Sequence, residues 1–303
     1  MSRSTNHPAS FLFRVLVGIA SGAAGSLAVA QPAPDPKPAQ PTAPAPAEKL
    51  PSADEVVDKF IKASGGAEAW DKVKTMTING AFELAGMNLK GKTSIWIGEK
   101  GKLLNVTELP GFGEIKQGSD GETMWSSDAA MGPRIVEGEE RETLALMEKL
   151  RDPQAMKTEF KTLEVAGVTD IDSKPAYKLV ATPKGKDAQP ITSYFDKESG
   201  LLVKMSMTMS SPQGEVRIEV FSSDYKEKDG VVMSMKSRMV IGGIQEIITT
   251  IEKVEINPDI PAEKFELPAD IKALKDAAKP ATDKPATDKP AKDKPAEPAP
   301  DKK

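Results

Sequence analysis

The chain has 303 residues, with 41 Lys and Arg against 45 Asp and Glu, one histidine and no cysteine. This composition excludes disulfide bonds and thiol redox chemistry, and it leaves no strongly basic balance for nucleic acid. The one histidine, His7, lies in a segment that we expect to be removed. The mature chain then also lacks an imidazole for a His-ligated zinc site or for the base of a serine or cysteine hydrolase.

Residues 1–30 are typical of a secretory signal peptide. Arg3 and Arg14 precede an apolar run from Val15 to Leu27, and Ala28-Val-Ala30 supplies a small-x-small cleavage site. The run is too short for a membrane-spanning helix, which needs about 20 apolar residues. We therefore expect an exported protein that is periplasmic, or else extracellular or in the cell envelope, and soluble after signal cleavage.

Two flanking segments have a composition that disfavours a packed core. Residues 31–51 are rich in proline and alanine, and residues 271–303 contain Pro-Ala-Thr-Asp-Lys twice, at 280–284 and 285–289. Such segments are predicted to be disordered because they lack apolar side chains to offset chain entropy. The remaining residues, 52–270, form one predicted domain whose 28 basic and 37 acidic side chains disfavour a nucleic-acid partner.

The domain is predicted to begin with an amphipathic helix. Ser52 and Glu55 form a capping-box pattern, and apolar residues follow at helical spacing: Val56, Val57, Phe60 and Ile61. Gly65-Gly66 ends this helix, and residues 67–73 around Trp70 supply a further helical turn or two.

After Lys74 the apolar period changes to two, which predicts strands. One helical interruption is predicted at residues 139–150, extended through Pro153 to Phe160. We expect eleven or twelve strands, which cover residues 76–84, 91–98, 101–109, 114–118, 122–126, 161–169, 175–182, 190–196, 201–210, 214–225, 231–241 and 244–256. The predicted fold is mainly β (α+β): a half-open, strongly curved antiparallel barrel. Its amino-terminal and inserted helices cover the concave face.

Methionines are concentrated in two of these strands. They are predicted to share the inward face with neighbouring apolar residues, and the candidate lipid-cavity residues are Met205, Met207, Met209, Met233, Met235, Met239, Val203, Phe82 and Leu84. Methionine is flexible and conforms to variable shapes, which suits an adaptable apolar ligand. The same pattern is also typical of a plain core beneath the helices, and the sequence leaves both interpretations open.

Other patterns indicate no catalytic, metal or cofactor site. The segment Asp196-Lys-Glu-Ser-Gly200 begins like a calcium loop, but Met207 stands where a bidentate glutamate is required, so it is predicted to be a hairpin turn. Phe112, in Pro110-Gly-Phe-Gly113, is a candidate membrane-contacting or partner-docking residue at a hairpin tip. The alternative is that Phe112 folds back and closes the end of the barrel.

Five segments, in this order and spacing, resemble the outer-membrane lipoprotein-sorting superfamily of LolA/LolB-like proteins, especially its exported bacterial branch. They are residues 85–91, 120–125, 195–204, 224–230 and 255–268. The resemblance implies a half-open antiparallel barrel with a helical lid, which binds acyl chains of lipoproteins or other lipids. The chain departs from the family at Ser234, where a proline is usual, and it has no match for the arginine that latches the chaperone's lid.

Two functions follow from these observations. The first is a non-catalytic, monomeric protein that binds lipid or lipoprotein acyl chains in an apolar cavity, for transport or sorting between membranes, with membrane or membrane-protein contact. It needs no cofactor. The alternative is a structural or interaction module with a filled barrel, whose function lies in surface contacts and in the low-complexity arms.

Overall fold

The computed structural model describes residues 49–278, apart from residue 88, residues 186–187 and residues 212–213. The predicted signal peptide, most of the proline-rich linker and the tail after residue 278 lie outside this described part. The helices are α1 (Ala53–Ala63), α2 (Ala67–Asp71), α3 (Gly138–Lys149), α4 (Ala155–Thr158) and α5 (Ala269–Ala277), with a 3₁₀ turn at Ala262–Phe265. None of the helices described here has the length and apolar character needed to cross a membrane.

Thirteen strands make up one antiparallel sheet in the described part of the chain. They are β1 (Met76–Ala85), β2 (Leu89–Ile97), β3 (Lys102–Leu109), β4 (Gly113–Asp120), β5 (Met124–Asp128), β6 (Gly132–Ile135), β7 (Phe160–Ile171), β8 (Lys174–Pro183), β9 (Ile191–Asp196), β10 (Leu202–Ser211), β11 (Gly214–Lys228), β12 (Val231–Ile241) and β13 (Gln245–Ile256).

The strand order explains why the barrel stays open. It runs β6-β5-β4-β3-β2-β1-β13-β12-β11-β10-β9-β8-β7, so β6 and β7 are the two edges. The chain meanders outward from β1 to β6, continues through α3 and α4 to the far edge, and meanders back until β13 pairs with β1. The helical connection therefore links one edge of the curved sheet to the other. The predicted mainly β, half-open barrel is confirmed.

The predicted capping box begins α1. The Glu55 backbone N–H donates to Ser52 Oγ at 3.2 Å, and the Ser52 N–H donates to Glu55 Oε2 at 2.7 Å. These reciprocal bonds satisfy two backbone donors at the start of the helix. The Ser52 N–H and the Ser52 hydroxyl both donate to Glu55 Oε2, and these two bonds hold the pKa of the Glu55 carboxyl below its usual value.

Two predicted elements differ from the structure. The inserted helix is not continuous to Phe160, because a turn at residues 150–154 separates α3 from α4, and Pro153 has no N–H for a helical hydrogen bond. Strand β6 is absent from the predicted set. It has four residues, includes Pro133 and lies at the sheet edge, so its pattern was too short to detect.

The carboxy-terminal part of the fold packs on the convex face. Cross-strand pairs place Leu104, Gly118 and Trp125 in one row on that face. A Cβ on Gly118 would lie 2.6 Å from the Trp125 ring, so glycine leaves the space that the indole fills. Ile271 of α5 packs against Trp125 and is fully buried. The predicted domain end at residue 270 therefore falls inside α5, and the disordered tail was predicted to begin too early.

Candidate functional site

The concave face of the sheet carries a continuous apolar row. Successive cross-strand pairs join Met205 to Val220, Val220 to Met239, Met239 to Ile247, Ile247 to Leu84 and Leu84 to Leu89. Directly paired residues lie on the same face of a sheet, so this row spans six strands. A second row joins Met207 to Ile218 and Ile241. The methionines of β10 and Met239 therefore share the concave face.

The structure divides the predicted cavity residues among three apolar clusters. Met205, Met207 and Met209 pack in the cluster beneath α1. Met233 and Met235 pack against Trp70. Met239 lies with Phe82 and Leu84, at the end of the barrel where Phe112 also packs.

The part of the concave face beneath α1 and α2 is filled by the protein itself. Val56, Val57, Phe60 and Ile61 of α1 are all buried, and the Phe60 ring lies 5.0 Å from the Phe195 ring. This side of the barrel is an ordinary packed core.

Trp70 fills a place where two strands separate. The pairs between β12 and β13 cover only residues 236–241 of β12. Beyond them, the Val232 N–H donates to the Ser64 carbonyl at 2.9 Å, and Trp70 Nε1 donates to the same oxygen at 2.8 Å. A Cβ on Gly65 would lie 2.1 Å from the Gly230 oxygen, so only glycine allows this approach. The end of α1 and the Trp70 indole thus seal the split.

Helix α3 covers the other part of the concave face more loosely. Its residues Leu146 and Met147 pack against the cluster that contains the β10 methionines, yet none of the α3 residues is fully buried. No side chain caps its first turn. A helix with few buried apolar contacts belongs to the low-stability end of a fold.

Charged side chains fasten α3 at both ends. At its start, Arg134 of β6 donates from Nη1 and Nη2 to the two carboxylate oxygens of Glu140, at 2.8 and 2.5 Å. This bidentate bond raises the pKa of the Arg134 guanidinium. At its end, Lys149 pairs with Glu159 at 2.8 Å. Ion pairs therefore fix the two ends of α3, while Leu146 and Met147 bury its middle only in part.

A cavity of about 330 Å³ lies between α3 and the sheet. Its apolar wall includes Met207, Met209, Ile191, Leu146 and Ala145, and its polar rim includes Glu139, Glu142, Lys149 and Lys184. This volume falls within the range of about 300–1,000 Å³ that is usual for small-ligand sites. Two of the predicted cavity methionines thus border open space.

Two predicted site residues have different surroundings from those expected. The sheet register is irregular between Leu202 and Lys204, and Leu202, rather than Val203, joins the cluster beneath α1. Phe112 is half-buried and packs beside Leu109 and Ile115 at the barrel end. This position fits the interpretation in which Phe112 folds back and closes the end of the barrel.

Three residues at the site were not singled out from the sequence. Leu146 and Ile191 line the cavity, and Arg151 lies just after α3 at a second opening. Leu146 carries an apolar helical signal that could have identified it, whereas Arg151 stands in a charged segment that is typical of a solvated surface.

In comparisons with known proteins, the chain is similar only to solved structures. No protein-family model and no curated protein matches the chain. Among solved structures, a DUF1329 family protein from Desulfovibrio piger is 14% identical with a TM-score of 0.49, covering 71% of this chain and 97% of that one. A LolA superfamily protein from Nitrosomonas europaea is 12% identical with a TM-score of 0.47, covering 72% and 99%. A putative outer membrane lipoprotein-sorting protein domain from Vibrio parahaemolyticus is 10% identical with a TM-score of 0.45, covering 70% and 97%.

The open antiparallel sheet of this chain and the helices across its concave face are the architecture that the sequence resemblance to LolA/LolB-like proteins implied. The likeness concerns the fold, and the ligand has to be inferred from the site itself.

Proposed function

We propose that this protein is an exported, non-catalytic lipid-binding protein. Its concave face accepts an acyl chain, from a free lipid or from a lipoprotein, beneath the α3 lid. The bound chain is held away from water while it is carried or sorted between membranes. The proposed export depends on the signal peptide at residues 1–30, which the sequence predicts.

The single observation that supports this proposal best is the 330 Å³ cavity under a helix with no fully buried residue. Met207 and Met209, which line the cavity, belong to an apolar strand face that continues across the sheet through Ile218 and Ile241. Each buried methylene contributes about 0.8 kcal/mol. A chain of about fourteen carbons therefore gains over 10 kcal/mol before the entropic cost of binding, and no catalytic or polar centre is required.

A second candidate function is an interaction module with a filled barrel. The observation in its favour is the cluster around Trp70, where Met233 and Met235 pack against the protein's own side chains. If α3 closes equally tightly in solution, the cavity disappears. Function then lies in surface contacts and in the low-complexity arms.

Native mass spectrometry of the mature protein, residues 31–303, tests the proposal. We expect co-purified lipid that is released when the protein unfolds, and we expect the delipidated protein to bind a fluorescent fatty acid that unlabelled lipid displaces. A protein that carries no lipid and binds no probe, although it melts cooperatively, would favour the interaction module instead. Deletion of residues 279–303 is a control, since lipid binding should tolerate it.

A further inference from the structure

A second cavity lies beside the turn that follows α3. Its volume is about 730 Å³. Trp70, Met76 and Ile97 form an apolar part of its lining, whereas Glu148, Arg151, Asp152 and Gln154 supply a polar part. Lys149 and Glu159 line this cavity and also the one beside Met207. The two openings therefore flank the same segment of the lid.

Arg151 has hydrogen-bonding capacity that the described protein does not use. Its Nη2 donates to Glu148 Oε1 at 2.8 Å. Its Nη1 is buried and has no hydrogen-bond partner among the described residues. A guanidinium has five N–H donors, and a buried charged donor without an acceptor is unfavourable. Such a group in a folded protein calls for an explanation.

None of the nearby carboxylates accepts a hydrogen bond from Nη1 in the described structure. Glu148 accepts the Nη2 bond, and Glu159 is paired with Lys149. Asp152 accepts the Gln154 backbone N–H at 2.9 Å, and Asp71 accepts from Gln154 Nε2 at 3.0 Å. The remaining acceptor is therefore best supplied by a group that enters the cavity.

We propose that Arg151 binds the anionic headgroup, a carboxylate or a phosphate, of the lipid whose acyl chain lies on the concave face. This inference rests on the proposed lipid-binding function and names the ligand class: an anionic amphiphile. The guanidinium fork matches both oxyanions in a bidentate geometry, which a lysine ammonium does not. Trp70, Met76 and Ile97 line the same opening as Arg151, and the first two of these side chains are largely buried.

Because Arg151 Nη1 is buried, a headgroup reaches this nitrogen only when the turn between α3 and α4 shifts. Helix α3, before this turn, has no fully buried residue, whereas Pro153, Ala155 and Met156 are buried, so the shift is expected on the α3 side of the turn. Binding of an anionic lipid then gives Nη1 an acceptor and holds the lid over the chain.

The test compares ligands that share one chain length and differ in headgroup. Delipidated mature protein is titrated with palmitate, with hexadecanol and with palmitoyl lysophosphatidate, each measured by displacement of a fluorescent fatty alcohol. We expect wild type to prefer at least one anionic ligand over hexadecanol by about tenfold or more. A preference for palmitate indicates a free fatty acid, and a preference for lysophosphatidate indicates a phospholipid.

Variants assign this preference to one side chain. Arg151→Met should abolish it and leave hexadecanol binding unchanged, whereas Arg151→Lys should restore part of it. Lys74→Met is the matched control, because Lys74 is an exposed cation that lines the same cavity, and the preference should survive. Equal binding of charged and neutral ligands by wild type would overturn the proposed role of Arg151 in headgroup binding, but not the proposed lipid binding. Failure of all three ligands to bind would instead reject the proposed function.

Discussion

Helices α1 and α3 both lie on the concave face, but they are attached to it in opposite ways. Helix α1 begins with a complete capping box and buries four apolar side chains, and its end seals the split beside Trp70. Helix α3 has no side-chain cap and no fully buried residue, and ion pairs hold its two ends.

This difference shows that one apolar sheet face can serve two purposes. Beneath α1 the burial of Val57 and Phe60 contributes to folding and leaves no room for a ligand. Beneath α3 the apolar surface around Met209 is only half-covered, so the favourable free energy of burying it remains available to a ligand. The stability of the domain and its binding capacity are therefore expected to respond to different residues.

The largest expected effect separates the two helices by stability. Phe60→Ala removes a buried ring that packs on Phe195, so it should lower the free energy of unfolding by about 3–5 kcal/mol. Leu146→Ala removes a half-buried side chain of α3 and should cost less than about 2 kcal/mol, the lower end of the range for buried leucine. Urea unfolding measures both.

The rate at which a bound probe is released is a second measurement that distinguishes the Leu146→Ala and Phe60→Ala variants. Leu146→Ala should speed dissociation of a fluorescent fatty acid, because Leu146 lines the cavity. If Leu146→Ala destabilises the domain as much as Phe60→Ala does, α3 is part of the core and the comparison fails.

A carboxylate in place of Met235, near Trp70, and a carboxylate in place of Met209, in the cavity, should have different effects on stability and on ligand binding. Met235→Asp replaces a half-buried side chain that packs beside Trp70 and its apolar neighbours with a carboxylate, and should cost up to about 3 kcal/mol. Met209→Asp puts the same charge in a cavity with a polar rim, where it stays hydrated when the cavity is empty.

Thermal melts and a probe titration measure this second pair. The Met209 variant should melt near wild type but bind the fatty-acid probe much more weakly. A Met209→Asp protein that melts as low as the Met235→Asp protein would contradict an open cavity, whereas one that keeps full probe affinity would place the lipid elsewhere.

The smallest expected effect comes from swaps that preserve volume. Met207→Leu combined with Met235→Leu should fold normally, since each exchange costs under about 1.5 kcal/mol. If methionine adapts the cavity to varied ligands, the double variant should bind straight-chain probes as before and discriminate more strongly between probes of different shape. Met235→Leu alone is the control, because its cluster lies around Trp70. An unchanged ligand range would remove the adaptive role assigned to these methionines.

Much of the fold could be predicted because its signals are local. The Ser52–Glu55 box and the apolar spacing after it identify α1, and alternation at Met205, Met207 and Met209 identifies both the strand and its inward face. These features depend on a period of two or of 3.6 residues, which the sequence displays directly. Strand β6 was missed because four residues carry too little pattern.

The candidate site was predicted only in part, for reasons that involve distant residues. Alternation does not register the irregularity between Leu202 and Lys204, which brought Leu202 instead of Val203 into the cluster. It also does not distinguish Met235, which meets Trp70 from a different helix, from Met209, which faces open space.

The sequence alone determined the strand pattern, the start of α1 and the shared face of the methionines, because each follows from residues a few positions apart. Tertiary structure decided which part of that face is sealed and which is open. The decision depends on the route of the chain from β6 through α3 and α4 to β7, which lays a weakly apolar helix across the concave side. The same route of the chain buries Arg151 Nη1 without a hydrogen-bond partner in the described structure, although the sequence neighbours of Arg151 are typical of a solvated surface.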